Sequence, residues 1–176
     1  NYVAGQVAIH LDFLKKHSFI EHGENSQIRL GELGKLATNI NEIHCLAVAE
    51  MLENDTLKDL DVYQLIAVFS IFCDLRLSDN NKIHSADYVN ADKNIISCIK
   101  SVKNLYDKYY DEETKYETGF MFNYNLQYDL VELVYKWAKS DTSEECQQIL
   151  KDMQKWEIFI GNFSKAVLKI CNIAFE

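Results

Sequence analysis

The sequence predicts an all-α fold, a bundle of several amphipathic helices. Its 176 residues include no proline and only six glycines, so the turn residues that strand-rich folds need are scarce. Hydrophobic residues make up 48% of the chain and charged residues 26%, the ordinary balance of a globular protein with a sizeable core. Apolar residues recur at three- and four-residue spacing in most segments, which is the period of an amphipathic helix.

The N-terminal part predicts three helices and one short strand. A first helix covers Val3–Phe19, with Val7, Leu11, Leu14 and Phe19 on one face. A polar turn, a short strand and a brief helix follow at His22–Ser26, Ile28–Leu30 and Gly31–Thr38. The next helix, about Glu42–Glu53, is apolar almost all round and should be central, and Asn39 and Asn41 are both suitable caps for it.

Two helices are predicted in the middle of the chain. The first begins at Val62 with Asp59 or Asp61 as its cap and should be buried on most sides, and Ser78–Lys82 forms a loop after it. The second runs from about Ala91 to Tyr110. Alternating four- and three-residue steps indicate that it lies along a groove between two other helices, with this inward face: Ile95, Ile99, Val102, Tyr106 and Tyr109.

The C-terminal part predicts a charged connection and three more helices. Asp111–Glu117 is the most charged patch and reads as a solvated connection rather than a cation site. A helix follows with Leu126, Leu130, Leu133, Val134 and Trp137 inward. Trp137 lies on the apolar face, a position that favours the core over stacking on a base. Thr142 and Glu145 fit a capping box that starts a short helix to about Asp152.

The last helix, Ile158–Ala174, carries the residues that bear most on function. Its predicted apolar face consists of Ile160, Phe163, Val167, Ile170, Cys171 and Ala174. Opposite them, Asn162, Lys165, Lys169 and Asn172 form a stripe about 80° wide, which we call the polar stripe. A stripe of this composition suits phosphates and base edges, and it equally suits a solvated surface. Periodicity alone favours the solvated surface.

Charge and motif content exclude several function classes. The formal net charge of −9 argues against non-specific duplex binding, because domains that hold phosphates by bulk charge are usually basic. The five cysteines form no C-x-x-C pair and read as reduced thiols in an intracellular protein. The histidines show no metal-ligand spacing, so no structural metal is predicted. Phosphate-binding and nucleophile motifs are missing too, so this stretch alone is expected to catalyse nothing.

Four phrases in the sequence resemble one helicase family. Residues 28–40, IRLGELGKLATNI, are similar to the T-x-L-G-R-x-A-S exit of a winged-helix domain, with Gly31 for threonine and Lys35 for arginine. Residues 41–72 resemble the first helices of the bundle that follows, YDLVELVYKWAKS at 128–140 resembles a later one, and WEIFIGNFSKAVLKICNI at 156–173 resembles its ending. In this order the phrases are typical of the DSHCT domain, the C-terminal helical bundle of superkiller-type, exosome-associated DExH-box RNA helicases.

The resemblance implies a domain division and a function. Residues 1–40 would be the end of a winged-helix domain, a partial segment preceding the bundle, and residues 41–176 the DSHCT-like bundle. In that family the bundle closes the RNA channel of an ATP-dependent helicase and contacts single-stranded RNA. Lys165 falls where the family often has an RNA-contacting arginine, and Asp74 falls near an acidic residue of the same channel. The expected RNA-binding set is therefore Lys165, Asn162, Lys169, Asn172 and Asp74. Lysine lacks the planar fork of arginine, so it retains backbone contact better than base stacking.

The resemblance also sets expectations for the whole polypeptide. The first residue is Asn1, so we expect a piece of a longer protein whose RecA-like domains bind ATP and magnesium. Expected partners are single-stranded RNA, those RecA-like domains and exosome-type RNA decay machinery. No apolar run is long enough to span a membrane and no signal peptide opens the chain, so we expect a cytoplasmic or nuclear protein. Its Asn, Lys, Ile and Asp bias suggests an AT-rich genome, such as that of a large virus or a protist.

Two alternatives remain open from the sequence. The chain could instead be a non-catalytic helical module for protein interaction, or the equivalent domain of a DNA-directed helicase. The family's arch insertion has no room between Val3 and Glu42, so it either lies upstream or is missing from this member.

Overall fold

The computed structural model confirms the all-α fold class. It describes residues 2–23, 27–75, 77 and 81–176, of which the backbone alone is described for Tyr2. The protein is mostly helical, with 63% helix and 4% strand. In chain order, the helices and strands are α1 Tyr2–Lys16, β1 Ile20–His22, β2 Ile28–Leu30, α2 Glu32–Ala37, α3 Cys45–Glu53, α4 Val62–Phe69, α5 Lys93–Tyr116, α6 Val131–Lys139, α7 Ser143–Lys155 and α8 Ile160–Phe175.

The chain divides into two compact units. The first unit contains residues 1–56, 102–124 and 176, and the second contains residues 57–101 and 125–175. Helix α5 contributes its N-terminal part to the second unit and the remainder to the first. The division at residue 40 expected from the resemblance stays a prediction. Within the described residues, no single helix is long and apolar enough to cross a membrane. Helices α7 and α8 together have the length and composition of a membrane span, but the chain bends by 112° between them.

In the first unit, a two-stranded sheet packs closely on α2. The predicted strand β2 is confirmed, and its antiparallel partner is β1, with Ile20 opposite Leu30. The predicted first helix is too long at its C-terminal end, because Ser18 takes a positive φ of 61° and turns the chain into β1. Its predicted inward face is confirmed only in part: Phe19 is buried and Leu11 and Leu14 are half-buried, but Val7 is 51% exposed. Phe13, which was not predicted to face inward, is completely buried.

The central helix α3 begins later than the sequence predicts. His44, rather than Asn39 or Asn41, is its N-cap, and its Nδ1 atom accepts from the Ala47 backbone N–H at 3.3 Å. The other ring nitrogen, Nε2, lies 2.8 Å from the Tyr124 hydroxyl, and the ring stacks on Phe122 with centroids 4.2 Å apart. A histidine can replace an asparagine cap here because aromatic neighbours hold its ring in place.

The long helix α5 confirms its predicted core face and extends further than predicted. All five predicted inward residues are buried: Ile95, Ile99, Val102, Tyr106 and Tyr109. The predicted solvated connection at Asp111–Glu117 is wrong, since the helix continues to Tyr116. Glu112 pairs with Lys16 of α1, and Glu113 is buried with its Oε1 atom 3.5 Å from His44 Nε2. The charged residues therefore make tertiary contacts within the first unit.

Tyr109 also links α5 to α3 through Glu50. The Tyr109 hydroxyl donates to the Glu50 carboxylate at 2.7 Å, and Lys108 Nζ donates to the same group at 2.7 Å. Burial alone would raise the pKa of Glu50, but these two donors outweigh it and hold that pKa below its ordinary value.

In the second unit, Asp61 caps α4, one of the two residues that the sequence allowed. Its carboxylate accepts from the Gln64 N–H at 2.8 Å, and the Gln64 side chain accepts from the Asp61 N–H at 3.0 Å. Helix α4 is short and continues as a 3-10 turn, Ser70–Phe72. The predicted loop at Ser78–Lys82 lies mostly outside the described residues.

The capping box gives a first testable prediction. Asp61→Ala should lower the free energy of unfolding by about 1 kcal/mol, because it leaves the first N–H groups of α4 without their acceptor. Asp59→Ala is the matched control, since Asp59 is exposed and is not the cap, and it should change stability very little. Chemical denaturation of both variants measures the difference. Equal effects of the two substitutions would contradict the assigned cap.

The remaining elements follow the sequence more closely. Helix α6 buries Leu133 and Val134 as predicted, and α7 begins with the predicted Thr142 capping box. All five cysteines are free thiols. Cys171, which lies in an apolar stretch, is exposed, whereas Cys73 and Cys98 are buried. Burial raises the pKa of each of these two thiols to about 11, so both are poor nucleophiles at neutral pH.

Candidate nucleic-acid interface

Helix α8 presents a different face to the core than its sequence predicts. Its buried residues are Phe163, Ala166, Ile170 and Ile173. The predicted members Ile160, Cys171 and Ala174 are exposed. At 100° per residue, the buried face is turned by roughly 70° towards the polar stripe. The small side chain of Ala166 allows this orientation of α8. It leaves room for the Cys73 thiol, whose Sγ donates to the Ala166 carbonyl oxygen at 3.5 Å.

The rotation places the polar stripe along one edge of the buried face. Lys165 and Asn172 are exposed, whereas Asn162 and Lys169 are half-buried beside the core residues. The stripe is therefore at the surface and not packed beneath neighbouring helices. It presents two ammonium groups and two side-chain amides, which are donors for phosphate oxygens and base edges.

Lys169 lies close to the segment that carries Asp74. Burial raises the pKa of the Cys73 thiol, and the positive charge of Lys169 partly opposes that rise. The Cys73 thiol also contacts Ala166, so this segment lies against α8 at the stripe-bearing edge. Asp74 is the next residue and is exposed. The segment that carries Asp74 therefore lies against α8 through Cys73, while the Asp74 carboxylate itself bonds Gln127. Lys165 lies one helical turn from Lys169, towards the N-terminus.

Gln127 holds the Asp74 segment in place. Its Nε2 atom donates to Asp74 Oδ1 at 2.8 Å, and its Oε1 atom accepts from the Leu75 N–H at 2.9 Å. Its own backbone N–H donates to the Ile71 carbonyl at 2.8 Å. Three hydrogen bonds from one residue fix both the backbone and the carboxylate of this segment. Gln127 could not be identified from the sequence, because nothing in its local pattern marks it as a partner of residues more than fifty positions away.

The opposite flank of α8 is apolar. A groove of about 470 Å³ lies between α7 and α8, and we call it the apolar groove. Ile160 and Leu168 on its α8 side are 64% and 63% exposed, and Trp137 of α6 is 38% exposed. The Trp137 ring packs edge-on against Phe163, with centroids 5.8 Å apart. Phe163 lies about 160° around the helix from Lys165, so Trp137 does not share a surface with the polar stripe.

No group of three or more His, Cys, Asp or Glu side chains is arranged to hold a metal ion in the part of the chain that the structure describes. The polar stripe offers cationic and amide donors, and the anchored Asp74 carboxylate follows Cys73, which contacts α8. A carboxylate there can accept from the amino group of a base, whereas the lysines attract phosphates.

Comparison with known families identifies the sequence. The family model of the DSHCT (NUC185) domain matches residues 28–168, well over half of the chain. The match begins at β2, covers the helices from α2 to α7 and includes the part of α8 that carries Lys165. No curated protein matches the chain significantly.

Proposed function

The chain belongs to the DSHCT family of helicase-associated C-terminal domains, and on that basis we propose that it forms one wall of an RNA channel. In this proposal the domain closes the channel of an ATP-dependent DExH-box helicase and contacts single-stranded RNA with the polar stripe. ATP and magnesium would be bound by RecA-like domains of the same polypeptide. The exosome-type decay machinery would then be a downstream partner.

The observation that carries the proposal is the composition of the α8 edge. Lys165 and Lys169 lie one turn apart on the surface of a protein that is acidic overall. Their spacing along the helix is about 6 Å, which approximates the distance between successive phosphates of an extended strand. In this proposal Asp74, whose carboxylate Gln127 holds in a fixed position, adds one oriented acceptor to the charge attraction of the two lysines.

A binding measurement on the chain tests this proposal. Fluorescence anisotropy of a labelled oligouridylate of about 12 nucleotides should give a Kd in the micromolar range or weaker, rising as salt increases from about 50 to about 200 mM. Lys165→Glu should abolish binding, because it replaces an ammonium group that attracts phosphates by a carboxylate that repels them.

Lys151→Glu is the matched control. Lys151 is an exposed lysine of α7, so the substitution changes the net charge by the same amount away from the polar stripe. It should leave most of the binding intact. If both variants lose binding equally, the effect is one of bulk charge. If Lys165→Glu binds as well as the wild type, the stripe is only a solvated surface.

A second candidate function is favoured by the apolar groove. Exposed apolar surface of this kind is typical of contacts with other proteins. The second candidate is therefore a non-catalytic helical interaction module. Failure of the chain to bind any single-stranded RNA at low salt would favour it over the RNA-channel proposal.

A further inference from the structure

A small acidic cavity lies in the second unit, apart from the polar stripe. It measures about 40 Å³ and opens to solvent between α6, α7 and the segment at Ile83. Three carboxylates line it, together with one lysine and one aromatic ring: Asp129, Glu132, Asp152, Lys136 and Trp156. A volume of this size admits one ammonium or guanidinium group, or a few water molecules.

Asp129 at this cavity is buried and only half satisfied. Asp129 is 3% exposed, and its Oδ1 atom accepts from the Ile83 N–H at 2.5 Å. The other oxygen, Oδ2, is buried and has no hydrogen-bond partner among the described residues. An unpaired buried carboxylate oxygen is costly, so natural proteins usually supply a donor from the chain, from water or from a ligand.

The chain's own cation at the cavity is already engaged. Lys136 Nζ pairs with Glu132 Oε1 at 2.6 Å, and Asn90 Nδ2 donates to the same oxygen at 3.2 Å. Among the described residues, the Asp152 carboxylate accepts from a neutral donor, Gln148 Nε2, at 3.0 Å. Asp129 and Asp152 thus leave the cavity with negative charge that Lys136 does not neutralise, and a partly enclosed site concentrates that potential.

We propose that this cavity binds an alkylammonium or guanidinium head group. Asp129 Oδ2 accepts its innermost N–H, Asp152 supplies a second negative charge, and the Trp156 ring offers a face to the cation. A metal ion is disfavoured, because the described residues offer no set of three suitably placed ligands. The head group belongs either to a small free amine or to a basic side chain of a peptide. The inference does not depend on RNA binding.

A ¹H–¹⁵N NMR titration of the chain tests the proposal. n-Butylammonium should cause saturable shifts of the Trp156 indole N–H and the Ile83 amide, while the Trp137 indole serves as an internal reference. Tetramethylammonium at the same ionic strength carries charge without an N–H donor and should not saturate these signals. Capped lysine amide distinguishes the source: stronger binding than n-butylammonium indicates a peptide side chain, and weaker binding indicates a free amine.

Variants of the acidic residues complete the test. Asp129→Asn keeps the acceptor for Ile83 and removes the charge, so it should weaken n-butylammonium binding about tenfold or more. Asp141→Asn, at an exposed aspartate outside the cavity, should leave binding unchanged. Unchanged binding by Asp129→Asn, or equal shifts with tetramethylammonium, would overturn the proposal, because neither the Asp129 carboxylate nor an N–H donor would then be needed. If Asp129→Asn does not fold, Asp152→Asn decides: weaker binding supports the site and unchanged binding refutes it.

Discussion

Gly34→Ala is expected to destabilise the protein by about 3 kcal/mol, because the new methyl group has no space. A Cβ atom at position 34 would lie 2.0 Å from the Phe19 carbonyl oxygen and 3.1 Å from its carbonyl carbon. Both are backbone atoms, so no side-chain rotation relieves the clash. The same oxygen accepts from the Gly31 N–H at 2.9 Å, so any movement away from Gly34 strains that bond too. Packing of α2 against the chain before β1 therefore requires glycine at position 34.

Thermal unfolding followed by circular dichroism measures this effect. Gly5→Ala is the matched control, because Gly5 lies within α1 and a Cβ there meets nothing within 4 Å. The control should stabilise the protein by up to about 1 kcal/mol, since alanine is the better helix former. A melting temperature of Gly34→Ala equal to that of the wild type would show that α2 does not pack as closely as described.

Local signals predicted the region around Gly34 only in part. Ile28–Leu30 and the brief helix after it were predicted, the helix with Leu33 and Leu36 at the three-residue spacing of one helical face. The partner strand β1 was missed, since three residues are too few to show an alternating pattern. Its start depends on Ser18 with positive φ, and serine gives no signal for that conformation as glycine or asparagine would. Short elements set by tertiary contacts escape sequence periodicity.

The charged end of α5 shows a second limit. A run of acidic residues normally marks a solvated surface, and here it was interpreted as a connection. In the structure Glu112 meets Lys16 and Glu113 meets His44, partners about seventy or more positions away in the chain. Local composition contains no information about such partners. The apolar face of α5, by contrast, repeats over four turns, and it was predicted residue by residue.

The candidate interface, too, was predictable from the sequence only in part. The polar stripe was visible in the sequence because it repeats with the helical period, and its four residues do lie at the surface or at its margin. The exact orientation of α8 was not visible, since it depends on Ala166 facing Cys73 from another segment. The anchoring of Asp74 by Gln127 was not visible either. Periodicity thus indicates which side chains share a face, whereas contacts between segments decide where that face points.

Ile99→Ala is the second substitution with a large expected effect. Ile99 is completely buried on α5, so removing its outer carbons should leave a cavity and cost about 2–5 kcal/mol. Ile160→Ala makes the same chemical change on α8 at a side chain that is 64% exposed, and it should cost less than about 1 kcal/mol. Chemical denaturation compares the two free energies of unfolding. Both substitutions lie outside the polar stripe, so a folded Ile99→Ala variant should keep the RNA affinity of the wild type. Similar destabilisation by the two substitutions would contradict the burial of Ile99. Loss of RNA binding by a folded Ile99→Ala variant would instead show that binding depends on more than the surface of α8.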